Sequence, residues 1–143
     1  MEKEVVKAYS PLVLAYMGDA VCEQIIREKL VTRDHSRPAA LNRRCARIVC
    51  AAGQARLMAA ILEELTEEEE AVYRRGRNAH SPTMAKNQSV HDYRIATGFE
   101  ALCGYLHLSG SRERLIALID KGLAAVEPDL LKMSDTENAD VHI

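Results

Sequence analysis

Residues 10–23 read SPLVLAYMGDAVCE, and they open a helix. Ser10 can cap it, and the ring of Pro11 is already shaped for a first helical turn. The apolar pattern carries the helix to about Leu30. At about 100° per residue, with Asp19 at zero, Leu12 and Leu30 fall near +20°, Tyr16 near +60°, Ala15 near −40°, Cys22 near −60° and Ile26 near −20°. Asp19 is therefore expected in the middle of the apolar stripe, with Glu23 one turn further along it. A carboxylate buried without a partner costs several kcal/mol, so it must be paired, protonated or bound to a metal. A salt bridge to an arginine and a metal site both satisfy that demand.

The chain beyond reads as helix throughout, with no β alternation and no internal repeat. A loop over 31–37 leads to Pro38, which opens a long helical pattern from Ala39 to about Leu65. Gly53 is placed to kink or divide it. Thr66 with Glu69 makes a capping box for a third helix over about Glu67–Arg75. Gly76 to Gln88 is the longest loop. Ser89 with Asp92 opens a helix to about Leu108, and Ser111 caps another to about Val126, where Pro128 follows. The fold class is all-α, a bundle of about five to seven helices. One domain is expected over residues 1–127, with an acidic, frayed tail over 128–143.

The helix from Ser89 to Leu108 holds the second candidate carboxylate. Ile95, Phe99, Leu102 and Leu106 make its large apolar side. Glu100 lies roughly opposite, among Ala96, Thr97, Cys103 and Gly104. Glycine inside a helix costs about 1 kcal/mol relative to alanine, so Gly98 and Gly104 imply close packing. Glu100 is then either an exposed acid beside a tight helix crossing or half of a two-carboxylate site for Mg²⁺ or Mn²⁺.

Charge is unevenly placed on a chain of 143 residues with formal net charge −2. Residues 27–56 carry eight arginines and lysines against two acids, and residues 73–94 carry five against one. Six glutamates without a basic residue lie between them, and residues 127–143 hold five acids against Lys132. One basic face on an acidic protein suffices to bind phosphates, although separate solvated helix faces would give the same counts. Arg74, Arg75, Arg77, Asn78 and His80 surround Gly76, and Lys86-Asn87 closes the same loop. That set suits phosphate contacts. There is no Trp and a single Phe, which disfavours base stacking on an aromatic platform. No apolar run approaches a membrane span, and the N-terminus lacks a signal-peptide pattern. The four cysteines form no CxxC pair, so buried free thiols in a cytoplasmic protein are expected.

Three segments in order carry a resemblance. Leu14–Glu23 (LAYMGDAVCE) resembles the signature helix of ribonuclease III catalytic domains. With RRGRNAHS at 74–81 and ATGFEALCGY at 96–105, the chain looks like Mini-ribonuclease III, the compact branch without a double-stranded-RNA-binding domain. The resemblance spans roughly residues 8–126. It implies that Asp19 and Glu100 are the catalytic, metal-binding acids, and that the enzyme is a homodimeric, Mg²⁺-dependent endoribonuclease with Mn²⁺ as a substitute ion. It further implies double-stranded RNA as substrate, precursor 23S ribosomal RNA as the natural one, 5′-phosphate and 3′-hydroxyl products, and a ribosomal protein as a candidate partner. Two acids usual in the wider family are replaced, by Ala15 and Thr97, as they are in the Mini-III branch. An aromatic residue usual in that branch is replaced by Cys22. The rival readings are a non-catalytic RNA-binding or ribosome-assembly module, and a helical interaction protein with a structural salt bridge at Asp19.

Overall fold

The computed structural model describes residues 1–79 and 89–132. Among them are eight α-helices and no strand. These are α1 (Lys3–Lys7), α2 (Pro11–Arg33), α3 (Pro38–Val49), α4 (Ala51–Ile61), α5 (Glu67–Arg77), α6 (Val90–Leu108), α7 (Arg112–Val126) and α8 (Pro128–Lys132). A 3-10 turn over Leu62–Glu64 follows α4.

The local signals act largely as expected. Ser10 accepts the Leu12 N–H at 3.2 Å, and Thr66 and Glu69 form the reciprocal capping box. Ser89 accepts the Asp92 N–H at 3.1 Å, whereas Ser111 makes no side-chain cap. The long pattern after Pro38 is divided, but at Cys50 rather than Gly53, and the two halves are bent by 59°. Gly53 is what the bend requires. A Cβ there would lie 2.2 Å from the Ile48 carbonyl oxygen and 2.4 Å from that of Arg47. Pro128 both follows α7 and opens α8, whose Leu130 is fully buried, so the first residues expected in the tail are helical. Residues 133–143 lie outside the described residues.

Helix α6 is the axis of the bundle, packed by α2, α4, α5 and α7. Residues 96–99 and 101–106 are all buried, and Glu100 alone interrupts the run. A helix apolar all round belongs in a core. The crossings depend on missing side chains. A Cβ on Gly18 of α2 would sit 1.7 Å from the Glu100 carbonyl oxygen, and one on Gly104 of α6 would sit 2.0 Å from that of Leu14. Gly76 of α5 and Gly98 of α6 make a second close approach, with Gly98 against the Tyr73 ring. The two α6 glycines thus have the packing role their cost implies.

Ion pairs tie the periphery together. Arg44 of α3 holds both Asp34 and Glu127, at 2.8 and 2.9 Å. Arg114 of α7 holds the buried capping residue Glu69 at 2.8 Å. The Tyr105 hydroxyl donates to Glu68 at 3.0 Å, and Lys7 pairs with the same carboxylate. Among the described residues no single helix is long and apolar enough to cross a membrane. Cys22, Cys45 and Cys103 are buried free thiols as expected, but Cys50 is exposed.

Candidate active site

The backbone contact between Gly18 and Glu100 sets the site. It presses α2 and α6 together where each carries an acid, and it brings the carboxyl groups of Asp19 and Glu100 within hydrogen-bonding reach. Asp19 itself is exposed, not central to a buried stripe as its helical phase predicts. The buried face of α2 is Leu14, Ala15, Gly18, Val21, Cys22, Ile25, Ile26 and Leu30. It centres on the glycine crossing rather than on the bulkiest side chains, so Asp19 falls at its rim. Tyr16, counted in the stripe from sequence, is 83% exposed. A carboxylate at the rim is open to solvent and substrate, which a reacting group needs.

Glu100 is the half-buried member. Burial, then the hydrogen bond and negative charge of Asp19, push its carboxyl up to about 8, and a hydrogen bond from Gln54 partly opposes them. Without a cation, that environment favours the protonated Glu100 carboxyl at neutral pH. Two carboxylates that resist joint ionisation are a donor set for a hard cation. Among the described residues no third His, Cys, Asp or Glu joins them. The two carboxylates therefore fit a hard divalent cation whose remaining ligands would come from outside the protein.

Other candidates separate clearly. Glu23 pairs with Arg27 at 2.8 Å, which directs it along α2. Asp19 takes no salt bridge among the described residues, so the structural-bridge reading loses its support. Ala15 is buried, and the Thr97 hydroxyl donates to the Tyr93 carbonyl at 2.9 Å. Neither position adds a metal-binding acid.

The basic segment is placed at the C-terminal end of α5. Gly76 anchors it, because a Cβ there would lie 3.0 Å from the Gly98 Cα and 3.2 Å from the Thr97 carbonyl oxygen, within one turn of Glu100. Arg74 and Asn78 line a shallow surface with Pro11 and Ala79. Arg77 lies over the Tyr73 ring at 5.6 Å and donates to Asn78. Arg75 lines the same surface and also donates to the Lys7 carbonyl at 3.0 Å. His80, Lys86 and Asn87 lie outside the described residues.

Sequence reading missed Gln54. It is 3% exposed and donates to Glu100 from the first turn of α4. The signal was present: Gln54 shares a helical face with Leu57, Met58 and Ile61, where a polar side chain needs a partner. Also unforeseen is the meeting of Cys22 and Cys103, one turn beyond the acids. Their mutual hydrogen bond, burial and the nearby carboxylates hold the Cys22 thiol well above its ordinary range, so it remains neutral.

Comparisons with known proteins bear on the chain as a whole. The profile of the Ribonuclease III domain family matches residues 12–111. The chain is 53% identical to Mini-ribonuclease 3 of Enterococcus faecalis over 116 residues, covering 80% of this chain and 88% of that one. It is 46% identical to Mini-ribonuclease 3 of Streptococcus pneumoniae over 118 residues, covering 81% and 92%. The crystal structure of protein FN1578 from Fusobacterium nucleatum superposes with a TM-score of 0.73 at 29% identity, covering 80% and 92%.

Proposed function

This chain belongs to the ribonuclease III family, in its Mini-ribonuclease 3 group, and from that premise we propose that it hydrolyses phosphodiester bonds of double-stranded RNA. The observation that carries the reading is the pairing of Asp19 with Glu100 across the Gly18 crossing. The pair would hold Mg²⁺, with Mn²⁺ as a substitute. Such an ion supplies a nucleophilic water at neutral pH and neutralises charge at the phosphate. The chain's own residues do the rest. Asp19 faces solvent and meets substrate, while Glu100 is oriented by Gln54 and by the backbone of α2. Proton loss from Glu100 prepares the pair for a cation. Arg74, Arg75, Arg77 and Asn78 at the C-terminal end of α5 are proposed to engage phosphates, together with His80, Lys86 and Asn87. Double-stranded RNA is read mainly through its shape and 2′-hydroxyls, so a phosphate-directed surface suits it.

The homodimer is proposed on the exposed strip of α2. Val13, Tyr16 and Ala20 lie beside Asp19 at helical spacing, and Tyr16 is an aromatic ring almost wholly in solvent. A two-fold axis there would set two acid pairs against the two strands of one duplex. Precursor 23S ribosomal RNA in the cytoplasm is the proposed natural setting, with a ribosomal protein as a candidate partner, both resting on family resemblance.

The test is substrate choice and product chemistry. End-labelled RNA duplex, single-stranded RNA and DNA duplex are each incubated with Mg²⁺ or EDTA. Metal-dependent cutting of the RNA duplex alone, leaving 5′-phosphates, is expected. Duplex binding without cutting, under Mg²⁺ and Mn²⁺ alike, would favour the non-catalytic module.

A further inference from the structure

We propose that the outer face of α3, headed by Arg37 and carrying Arg43 and Arg47, is a second phosphate-binding surface that grips the RNA duplex away from the bond being cut. This rests on the duplex-RNA reading above.

Residues 38–49 contain no acid, and Arg37, Arg43 and Arg47 are exposed. Among the described residues their guanidinium groups have no hydrogen bond or ion pair. Some outward cations elsewhere are compensated, Arg27 by Glu23 and Lys121 by Glu64, while exposed Arg56, Arg94 and Arg112 each stand singly on their helices without an ion pair among the described residues. On α3 only Arg44 is neutralised, because it turns inward to Asp34 and Glu127. Arg43 and Arg47 form an uncompensated positive strip on a chain of formal net charge −2, with Arg37 exposed at the N-cap.

The helix gives the row a direction. Cys45 and Ile48 are the buried side of α3. Arg43 and Arg47 fall nearly opposite them, about 40° apart and separated by about 6 Å along the axis. Arg37 precedes Arg43 by about 9 Å. The helix is held at its middle by the Arg44 ion pairs and at its C-terminal end by the close seat of Gly53 under the Arg47 and Ile48 carbonyls. The residue after Gly53 is Gln54, which reaches Glu100. The Arg47 end of the row is thus joined through one tight turn to the residue that meets the acid pair. Rigid arginines at this spacing meet backbone phosphates, not base edges, so the surface adds affinity without sequence choice.

The experiment compares wild type, Arg43→Ala/Arg47→Ala and, as a charge control on α7, Arg112→Ala. Cleavage is measured against salt on a long RNA duplex and on one trimmed close to the cut. On the long duplex the double variant should raise KM about tenfold with kcat unchanged. Its log–log salt slope should be shallower by about two, while Arg112→Ala stays near wild type. On the trimmed duplex the double variant should approach wild type. Circular dichroism should show the same fold, since both side chains are exposed. Wild-type KM and slope in the double variant, with wild type cutting normally, would overturn the α3 surface and leave the nuclease reading standing. An equal loss on both duplexes, or a fall in kcat alone, would also overturn it. If wild type neither binds nor cuts duplex RNA, both readings fall.

Discussion

Asp19→Asn should stabilise the metal-free protein while abolishing its activity, and the stabilisation should depend on pH. Glu100 is raised from 4.5 to about 8, chiefly by burial and then by Asp19. The folded state therefore holds a proton that the unfolded chain releases. Stability is fully present below about 4.5, declines as pH rises through that window, and is flat above about 8. The whole rise corresponds to about 5 kcal/mol. Burial is its largest cause, so we assign the Asp19 share about 1–2 kcal/mol. Removing that charge lowers the Glu100 value and narrows the window from above. Thermal melts in EDTA should place Asp19→Asn about 3–8 °C above wild type at pH 8.5 and within about 1 °C at pH 4.5. Adding Mg²⁺ at pH 8.5 should raise the wild-type melt and leave the variant nearly unchanged. A variant that melts lower than wild type at pH 8.5, or a gain equal at both pH values, would refute this electrostatic reasoning.

Further outcomes follow from the same geometry. Mg²⁺ affinity should fall about tenfold per pH unit below 8, because binding must displace the Glu100 proton; titration calorimetry in buffers of different ionisation heat would register that proton. Gly18→Ala should cost about 3 kcal/mol or more in chemical denaturation, since the new Cβ meets backbone, at 1.7 Å, and neither helix can move without opening the site. Gln54→Ala should weaken metal binding about 10–100-fold with a smaller loss of stability, read by Mn²⁺ titration beside a melt. Arg114→Ala should destabilise by about 2 kcal/mol, because it strips the buried capping carboxylate Glu69 of its partner; urea unfolding measures it.

Local chemistry made most of the helices legible. Ser10-Pro11, the Thr66–Glu69 box and Ser89 act through atoms within three residues of one another, so their signals survive without tertiary knowledge. The cost of Gly98 and Gly104 likewise announced close crossings that the structure contains. Helix phase was read less well. Assigning the buried face of α2 by side-chain size put Tyr16 inside and Asp19 at the centre. The crossing instead follows Gly18, which adds no apolar bulk to a pattern. The division at Cys50 also depends on the backbone of α3 sitting over Gly53, a contact that no spacing rule contains. Both acids were legible as candidates, because polar residues in unusual company need explanation. Gln54 met the same criterion and was overlooked beside the stronger charge signals.

The most direct test of the acid pair is single-turnover cleavage of a labelled RNA duplex by wild type, Asp19→Asn and Glu100→Gln, with duplex affinity measured on the same preparations. Loss of the cleavage rate by at least about a thousandfold in each variant, with affinity within about threefold of wild type, is the expected result. A variant that is folded, bound to RNA and still cutting at near wild-type rate would contradict the assignment of that acid to the chemistry.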